Sequence, residues 1–518
     1  MREKVRRIAL ELAAVVLAVA AIFTGGAVAP ASAGPGSPVS LVYLSGFSRE
    51  ARLGLLDRIA GNADVVSPDF FQIQPDGSLG NYVDDGLVQA AHDRGLEVVP
   101  FIGNDWNREA GRKALANGPA LAAQIAGIVS GRNLDGVIVD LENLTVADRG
   151  ALTAFVQALR NDLPPSKQLA ATVPAIQGPV QSGWVAAYDN QALAALCDYI
   201  TVMTYDERVQ GDPPGPVAGD PWVEQSIQYM LTQIPRDKFL LGVPLYGRRW
   251  VNGWGGDSIS YPAISRLVSQ IGGEPNYDPV QKTMHYGYSS GAGWVDIYYD
   301  NRTTIAAKLS LVAKYGLRGG FAWSLGQEDP SVWGIFRRAM SGGPFPDIFN
   351  IDAEPAILKL WEKGWVHGDS DGLFHPNRAV SRAEATAMLV NALRPAPAWF
   401  AGFSDVPRGH WAYDVIGRAQ AAGWVHGVGG GRFEPDRAVT RAEGAAMIAK
   451  TLGLSASGES GFPDLKGSWA EGSVAALRAK GIIAGFPDGL FHPDQPLTRG
   501  DMAVMVARAM GLLKKIAL

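Results

Sequence analysis

An eight-stranded α/β barrel followed by a smaller, mostly helical module of three repeats is the architecture this sequence predicts. Three observations carry it. Between Val39 and about Met340, eight short β-branched apolar runs alternate with amphipathic stretches, which is the count of a (β/α)8, or TIM, barrel. No Gly-rich phosphate loop follows the first run, which disfavours a doubly wound open sheet. From Phe345 onward the composition changes, and a unit opened by phenylalanines 58 and 59 residues apart recurs.

Taken in order, the chain opens with basic Arg2, Lys4, Arg6 and Arg7, an apolar run from Leu12 to Phe23 and the small-residue site Ala31-Ser32-Ala33. The run falls short of the roughly 20 residues a membrane span needs, so residues 1–33 read as a cleaved secretory signal. No stable membrane span is expected after cleavage, and an uncleaved N-terminal anchor is the alternative reading of the same features. The barrel is expected over 38–343, with strands at Val39 to Ser45, Asp64 to Ile73, Leu96 to Ile102, Gly136 to Glu142, Leu169 to Ala175, Tyr199 to Tyr205, Phe239 to Tyr246 and Gly319 to Leu325. Helical periodicity lies between them at Arg49 to Ala60, Asp84 to Asp93, Pro119 to Ser130, Ala147 to Asn161, Trp222 to Gln233 and Thr303 to Tyr315. One connection is long. Val251 to Asp300, between the seventh and eighth strands, carries Trp254, Tyr261, Tyr277, Tyr286, Tyr288, Trp294, Tyr298 and Tyr299, and reads as a small β-containing insertion beside the barrel mouth.

At 518 residues the length prior of about 150 per domain suggests about three domains. A net charge of -5 gives no support for a nucleic-acid partner. The single cysteine, Cys197, excludes an intrachain disulfide and any cysteine-cluster metal site, and the seven histidines form no zinc-binding pattern. Neither a catalytic metal nor a cofactor is expected.

The chemistry concentrates on Gly136 to Glu142. In a strand, Ile138, Asp140 and Glu142 share one face, and two acids at that spacing in a buried run push a proton affinity upward, as a general acid working near neutral pH requires. Taken alone, this stretch reads equally as a strand end with structural acids. The carboxyl ends of barrel strands line active sites, and the other ends supply Asn104, Tyr205-Asp206-Glu207, Tyr246 with Arg248 and Arg249, and Trp323 with Gln327. Aromatic rings and acids on one rim suit a sugar, whose ring faces stack while its hydroxyls and amides take hydrogen bonds.

The repeats are expected at 344–398, 399–457 and 458–518. They open with Phe345-Pro346-Asp347, Phe403-Ser404-Asp405 and Phe462-Pro463-Asp464, and continue through the turns Asp371-Gly372-Leu373-Phe374, Gly430-Gly431-Arg432-Phe433 and Asp488-Gly489-Leu490-Phe491. Each then reaches Ser381-Arg382-Ala383-Glu384, Thr440-Arg441-Ala442-Glu443 or Thr498-Arg499-Gly500-Asp501, a capping-box helix start. Its arginine serves either as a hydrogen bond across the repeat or as a contact to repeated anionic groups on a polymer.

In these motifs the repeats resemble S-layer homology domains, a three-copy module that holds exported proteins on bacterial wall polysaccharide. The family's His-Trp-Ala element stands as His410-Trp411-Ala412 and Ser468-Trp469-Ala470, whereas the first repeat has Ile351-Asp352-Ala353. The resemblance implies that Arg382, Arg441 and Arg499, with Trp411 and Trp469, contact an acidic or pyruvylated secondary cell-wall polysaccharide, and that the protein is secreted and attached to the wall or S-layer. The barrel resembles family 18 glycoside hydrolases. Its motif Asp-Gly-x-Asp-x-Asp-x-Glu matches at Asp135, Gly136, Asp140 and Glu142, with Met203-Thr204-Tyr205-Asp206, Gly242 to Arg248 and Trp323 as further matches. The Thr204-Tyr205-Asp206-Glu207 and Pro213 to Ala218 stretches look most like the spore-cortex and cell-wall branch, which cleaves after N-acetylglucosamine in peptidoglycan.

That likeness implies substrate-assisted retention. Glu142 is then the proton donor and later the base, Asp140 the partner of the acetamido N–H, and Tyr205 the group that positions the acetamido oxygen. Trp323 is the floor under the sugar, and Asp206, Tyr246, Arg249 and Asn104 are further substrate contacts. One departure stands out: the family's middle acid is Ile138 here, so Asp140 has no carboxylate behind it. The alternatives are a chitinase-type hydrolase, a non-catalytic glycan-binding lectin held on the wall by the repeats, and a structural S-layer component. The retained Asp140 and Glu142 favour the enzyme.

Overall fold

The computed structural model describes residues 37–397, 400 and 402–514, so the expected signal segment lies outside the described residues. The barrel strands are β1 (Val39–Leu44), β2 (Val65–Pro68), β3 (Phe71–Ile73), β5 (Glu97–Val98), β6 (Phe101–Gly103), β7 (Gly136–Asp140), β8 (Gln168–Pro174), β9 (Tyr199–Met203), β10 (Phe239–Pro244) and β16 (Gly319–Trp323), with a short β4 (Leu79–Asn81) hairpinned onto β3. All eight expected strands are present. The second is interrupted into β2 and β3 and the third into β5 and β6, and Pro100, which has no N–H for a ladder, lies in the latter gap. β2 pairs with β5 and β3 with β6, and β16 pairs in parallel with β1, which closes the barrel.

Because helices cover the outside, the strands are buried on both faces. β1, β7 and β10 are buried at every residue, which is why they read as unbroken apolar runs. Aspartates at strand starts latch each strand to its neighbour: Asp64 accepts from Ser40 N–H at 2.9 Å, Asp135 from Val98 N–H at 2.7 Å and Asp198 from Leu169 N–H at 2.8 Å. Gly136 is required beside Asp135, because a Cβ there would collide with the Gln168 carbonyl.

The insertion begins earlier than its composition suggested. Its five antiparallel strands are β11 (Tyr246–Val251), β12 (Trp254–Ser260), β13 (Asn276–Asp278), β14 (Thr283–Ser290) and β15 (Gly293–Tyr299), in the order β12-β11-β15-β14-β13. A helix, Tyr261–Ile271, lies on one face over Tyr286, Val295, Ile297 and Tyr299. The root is pinned by a buried ion pair: Lys308, on the helix Arg302–Tyr315, reaches Asp300 Oδ1 at 2.5 Å and the Lys282 carbonyl at 2.8 Å.

Each repeat contributes two helices: Glu354–Glu362 and Arg382–Leu393, Tyr413–Ala421 and Arg441–Thr451, Glu471–Ala479 and Arg499–Ala509. The opening phenylalanines pack on the turn phenylalanines, with ring centroids 5.5, 5.4 and 5.7 Å apart. The opening aspartates Asp347, Asp405 and Asp464 accept the N–H groups of residues 374, 433 and 491 that end those turns. The module closes into a ring. Arg382 N–H donates to the Arg437 carbonyl, Arg441 N–H to the Gln495 carbonyl and Arg499 N–H to the Arg378 carbonyl, so repeat one holds two, two holds three and three holds one. The ring meets the barrel where Phe349 buries in the barrel core and Arg338 pairs with Glu354 at 2.9 Å. Among the described residues no helix is long and apolar enough to cross a membrane.

Removing one partner of a buried pair strands the other charge. Lys308→Met is expected to destabilise the protein by about 3–5 kcal/mol, read from denaturant unfolding followed at the barrel tryptophans.

Candidate active site

The carboxyl rim of the barrel holds a cleft of two lobes, about 690 and 700 Å3, with Glu142 and Trp106 lining both. The first lobe is polar. Ser45, Arg52, Asp69, Gln72 and Tyr82 line its outer part, while Asp140 and Trp323 form its inner end. The second is aromatic, with Trp184, Trp222 and Tyr205 beside Asp206 and Arg248.

Glu142 is held by its backbone. Asn104 accepts the Glu142 N–H at 2.8 Å and donates to its carbonyl at 2.9 Å, which leaves the carboxyl group free to face the cleft. Asn104 lines the first lobe, but it is 1% exposed and its amide is committed to Glu142 and the Asn107 carbonyl, so it braces Glu142 from beneath. The residue after Glu142 carries the loop beyond. Asn143 donates to the Trp106 carbonyl at 2.8 Å, and Arg108 clamps Asn143 through Nε at 2.6 Å and Nη2 at 2.8 Å. Trp106, half exposed, is thereby fixed beside Glu142 and meets Trp184 edge-on at 5.0 Å.

Asp140 lies behind Glu142 on the same strand face, 9% exposed, and its Oδ1 has no hydrogen-bond partner. Burial holds its proton affinity well above the ordinary carboxylate range, while the Thr172 hydroxyl draws it back. Glu142 is also raised, first by burial and then by the negative charges of Asp140 and Asp206. No ion pair among the described residues reaches either acid. Instead, a cluster of buried hydroxyls packs beneath Asp140: Thr172 lies 2.9 Å from Tyr43 Oη and 3.0 Å from Thr201 Oγ1, all near zero exposure. Ile138, one layer deeper, is fully buried and packs as core.

Tyr205 is 8% exposed and stands edge-on to Tyr246 at 6.5 Å. Tyr246 does not reach the cleft itself. Its hydroxyl donates to Asp206 Oδ1 at 2.5 Å, and Arg248 Nη2 donates to the same oxygen at 2.6 Å. On β11 the side chains alternate, so Arg248 turns inward with Tyr246 while Arg249 is exposed on the opposite face. Arg248 is the cleft arginine and Arg249 is not. Trp323 is tilted over Tyr43 at 5.2 Å and meets Phe101 edge-on at 6.0 Å. Sequence reasoning missed Trp106 and Trp184, which lie in connections between strands and helices, and Trp222, which lies in the first turn of the helix Asp220–Met230. For Trp106 a signal was available, since it lies two residues beyond Asn104 on the same rim.

The expected wall-binding arginines turn into the ring. Arg382, Arg441 and Arg499 donate through Nε to the carbonyls of Phe433, Phe491 and Phe374 in the neighbouring repeat. Trp411 and Trp469 are 62% and 70% exposed.

Two raised acids beside indole walls on the rim of such a barrel define a glycoside hydrolase. The family model for glycosyl hydrolases family 18 matches residues 40–328, more than half of the chain, and the chain belongs to that family. The S-layer homology domain model matches 344–386, 402–445 and 461–503, and these repeats attach the protein to the cell wall or S-layer surface through wall polysaccharide. A glycosylase assigned to sporulation in Bacillus subtilis (strain 168) is 26% identical over 288 residues, which are 52% of this chain and 68% of that protein. The cortical fragment-lytic enzyme of the same organism is 28% identical over 205 residues, 38% of this chain and 47% of its own length. The crystal structure of a chitinase from Chromobacterium violaceum ATCC 12472 superposes with a TM-score of 0.55 at 25% identity, covering 59% of this chain and 100% of that one.

Replacing Thr172 by the isosteric Val removes the hydroxyl that draws Asp140 back toward its ordinary range. Thr172→Val is expected to lower kcat on an aryl glycoside of N-acetylglucosamine about tenfold with KM little changed, and Thr172→Ser to restore it.

Proposed function

We propose that this protein is a wall-anchored hydrolase that cleaves peptidoglycan at N-acetylglucosamine by a retaining, substrate-assisted route. The observation that carries this reading is the placement of the acids. A double displacement needs a second carboxylate about 5–5.5 Å across the scissile bond, and an inverting one about 6.5–9.5 Å. Here Asp140 ends β7 two residues before Glu142, and Asp206 Oδ1 is held by Arg248 and Tyr246. Of the other acids in the lining, Asp69 is paired with Arg52 and Asp105 is exposed on the loop beyond Asn104, so the substrate's own acetamido group is read as the nucleophile.

Glu142, kept protonated near neutral pH by burial and its negative neighbours, gives its proton to the leaving glycosidic oxygen. The acetamido oxygen attacks the anomeric carbon as that bond breaks, forming a cyclic oxazolinium. Asp140 accepts the acetamido N–H and, as carboxylate, opposes the positive charge of the ring. Tyr205 holds the acetamido oxygen in line, and Trp323 supports the sugar face. Water then adds to the anomeric carbon from the face the leaving group vacated, and Glu142 takes its proton.

Wall attachment through the repeats places the cleft beside peptidoglycan, and the cortical fragment-lytic relative points the same way. The chitinase likeness favours chitin as the second reading. Digestion of purified peptidoglycan and of chitin oligomers, with product masses read directly, separates them. Glu142→Gln is expected to lose about 10²–10⁴-fold of the rate while glycan binding persists. Binding without release by the wild-type protein would leave a lectin.

The charge on Asp140 also sets the alkaline limit. Without that negative neighbour Glu142 ionises more readily, so its proton is lost at lower pH. In Asp140→Asn the alkaline limb of the residual kcat/KM profile is expected to move to lower pH, and an unmoved limb would show that the two acids do not interact.

A further inference from the structure

The five-stranded sheet of the insertion carries an exposed indole that the fold holds still. Trp294, on β15, is 51% exposed, yet its ring N–H donates to Asp296 Oδ1 at 3.1 Å, and His285 Nε2 on β14 lies 2.8 Å from the same oxygen. The ring lies over Gly287, where a Cβ would come within 2.6 Å of its Cζ2. Its backbone is fixed as well. Asn252 accepts the Trp294 N–H at 3.0 Å and donates to the Ala292 carbonyl at 2.9 Å, which ties the tips of the β11–β12 and β14–β15 hairpins together. His285 in turn stacks on Tyr298, with ring centroids 4.5 Å apart. Trp254 is the contrast: it is 79% exposed on the opposite face, level with Val251, and its indole makes no hydrogen bond among the described residues. Holding a large side chain still in water costs entropy with little burial to offset it, and a ligand on the ring face supplies the missing contact.

The edges left open define the ligand. Asp296 Oδ2 and His285 Nδ1 have no hydrogen-bond partner among the described residues, and both side chains are partly exposed. The cluster of Trp294, Asp296, His285 and Tyr298 contains no lysine or arginine, so it offers an anion no fixed cation. An apolar ring face flanked by a carboxylate oxygen and a ring nitrogen suits an uncharged sugar, which stacks on the indole while its hydroxyls or acetamido N–H bond the edges. The placement points the same way. Arg248, which lines the second lobe, is paired across the sheet with Tyr298, Tyr298 with His285 and His285 with Asn276, a row of about 14 Å from β11 to β13. Trp294 and Asp296 share its face, because side chains alternate along β15. At the far edge Tyr277 on β13 stands near the first repeat: burial, then the charges of Asp371, Asp220 and Asp347, push its hydroxyl up to about 12. The sheet thus bridges the cleft and the anchoring ring.

We propose that Trp294, with the open edges of Asp296 and His285, is a second glycan-binding site outside the cleft that takes an uncharged hexosamine ring of the glycan entering the cleft. Asp296 and Gly287 also act as positioning residues, which set the angle of the indole. A strand held there and in the cleft at once is bound bivalently, so the site strengthens retention on long glycan and adds nothing for a single sugar. This rests on the reading of the cleft as one that takes N-acetylglucosamine-containing glycan.

The test measures binding of the full chain, in the inactive Glu142→Gln background, to chitin and to peptidoglycan extracted with hydrofluoric acid. That extraction strips secondary wall polysaccharide and keeps the repeats out of the measurement. Trp294→Ala is expected to weaken binding to both polymers about tenfold, and Gly287→Ala, which pushes the ring off its seat, about threefold. Trp254→Ala is expected to stay within about twofold of the parent, and Trp294→Phe, which keeps a flat ring, to recover most of the affinity. Matching melting temperatures keep loss of folding out of the comparison. Binding of Trp294→Ala within about twofold of its parent, or an equal loss in Trp254→Ala, would overturn the proposal. So would a dimer in sedimentation velocity that Trp294→Ala turns into a monomer with glycan affinity unchanged, because the indole would then meet a second copy. If the wild-type protein released no product from either polymer while the loss in Trp294→Ala stood, the hydrolytic reading would fail and this site would be supported.

Discussion

A charge taken out of water must be answered by an opposite charge or by hydrogen bonds, and this protein follows that rule wherever it is structural. Lys308 answers Asp300 at the root of the insertion, and Glu384 answers Arg499 where the ring closes. Among the described residues, two buried charged side chains have hydrogen bonds and no opposite charge. Asp140, with Glu142 before it, has only hydroxyls beneath it, and Arg382 has only carbonyls around it. In the barrel the departure keeps a proton available near neutral pH. In the ring it leaves Arg382 held by two carbonyls and the face of Phe433.

The rest of the fold holds those two departures in place. Closure of the barrel brings β7, β8 and β9 side by side, so Asp140, Thr172 and Thr201 fall in one inward layer under Tyr43. Asn104 fixes the backbone of Glu142, and the Arg108–Asn143 clamp carries Trp106 over the divide between the lobes. In the ring, cyclic hydrogen bonds from the first turn of one helix to the next repeat seat all three arginines alike, with Arg382 and Arg499 buried and Arg441 partly so. Their differences in charge then come from the side chains opposite them.

Much of this was legible in the sequence because burial on both faces leaves an unbroken apolar run, and a repeat leaves a period. The eight strands and the three repeats followed from those signals. The helices Arg108–Ala116 and Asn190–Leu196 did not stand out, being short and rich in alanine. The helix Tyr261–Ile271 was hidden in a stretch whose aromatic residues read as strand. Arg249 was favoured over Arg248 although period-two alternation puts Arg248 on the face of Tyr246. Asn104 was correctly placed on the rim, but its partner is a backbone brought close only by the pairing of β6 with β7. Ile138 looked like a missing acid. With hydroxyls supplied by β1, β8 and β9 beneath Asp140, it is ordinary core.

The central claim is that no protein carboxylate attacks the sugar and that the substrate's acetamido group does. Attack by that group from one face and by water from the other gives net retention. Proton NMR of an N-acetylglucosamine oligomer, recorded before mutarotation sets in, reads the configuration of the first reducing end released. The β anomer is the result predicted, with no turnover of the de-N-acetylated oligomer, which lacks the nucleophile; a first-formed α anomer, or turnover of that oligomer, would contradict the account.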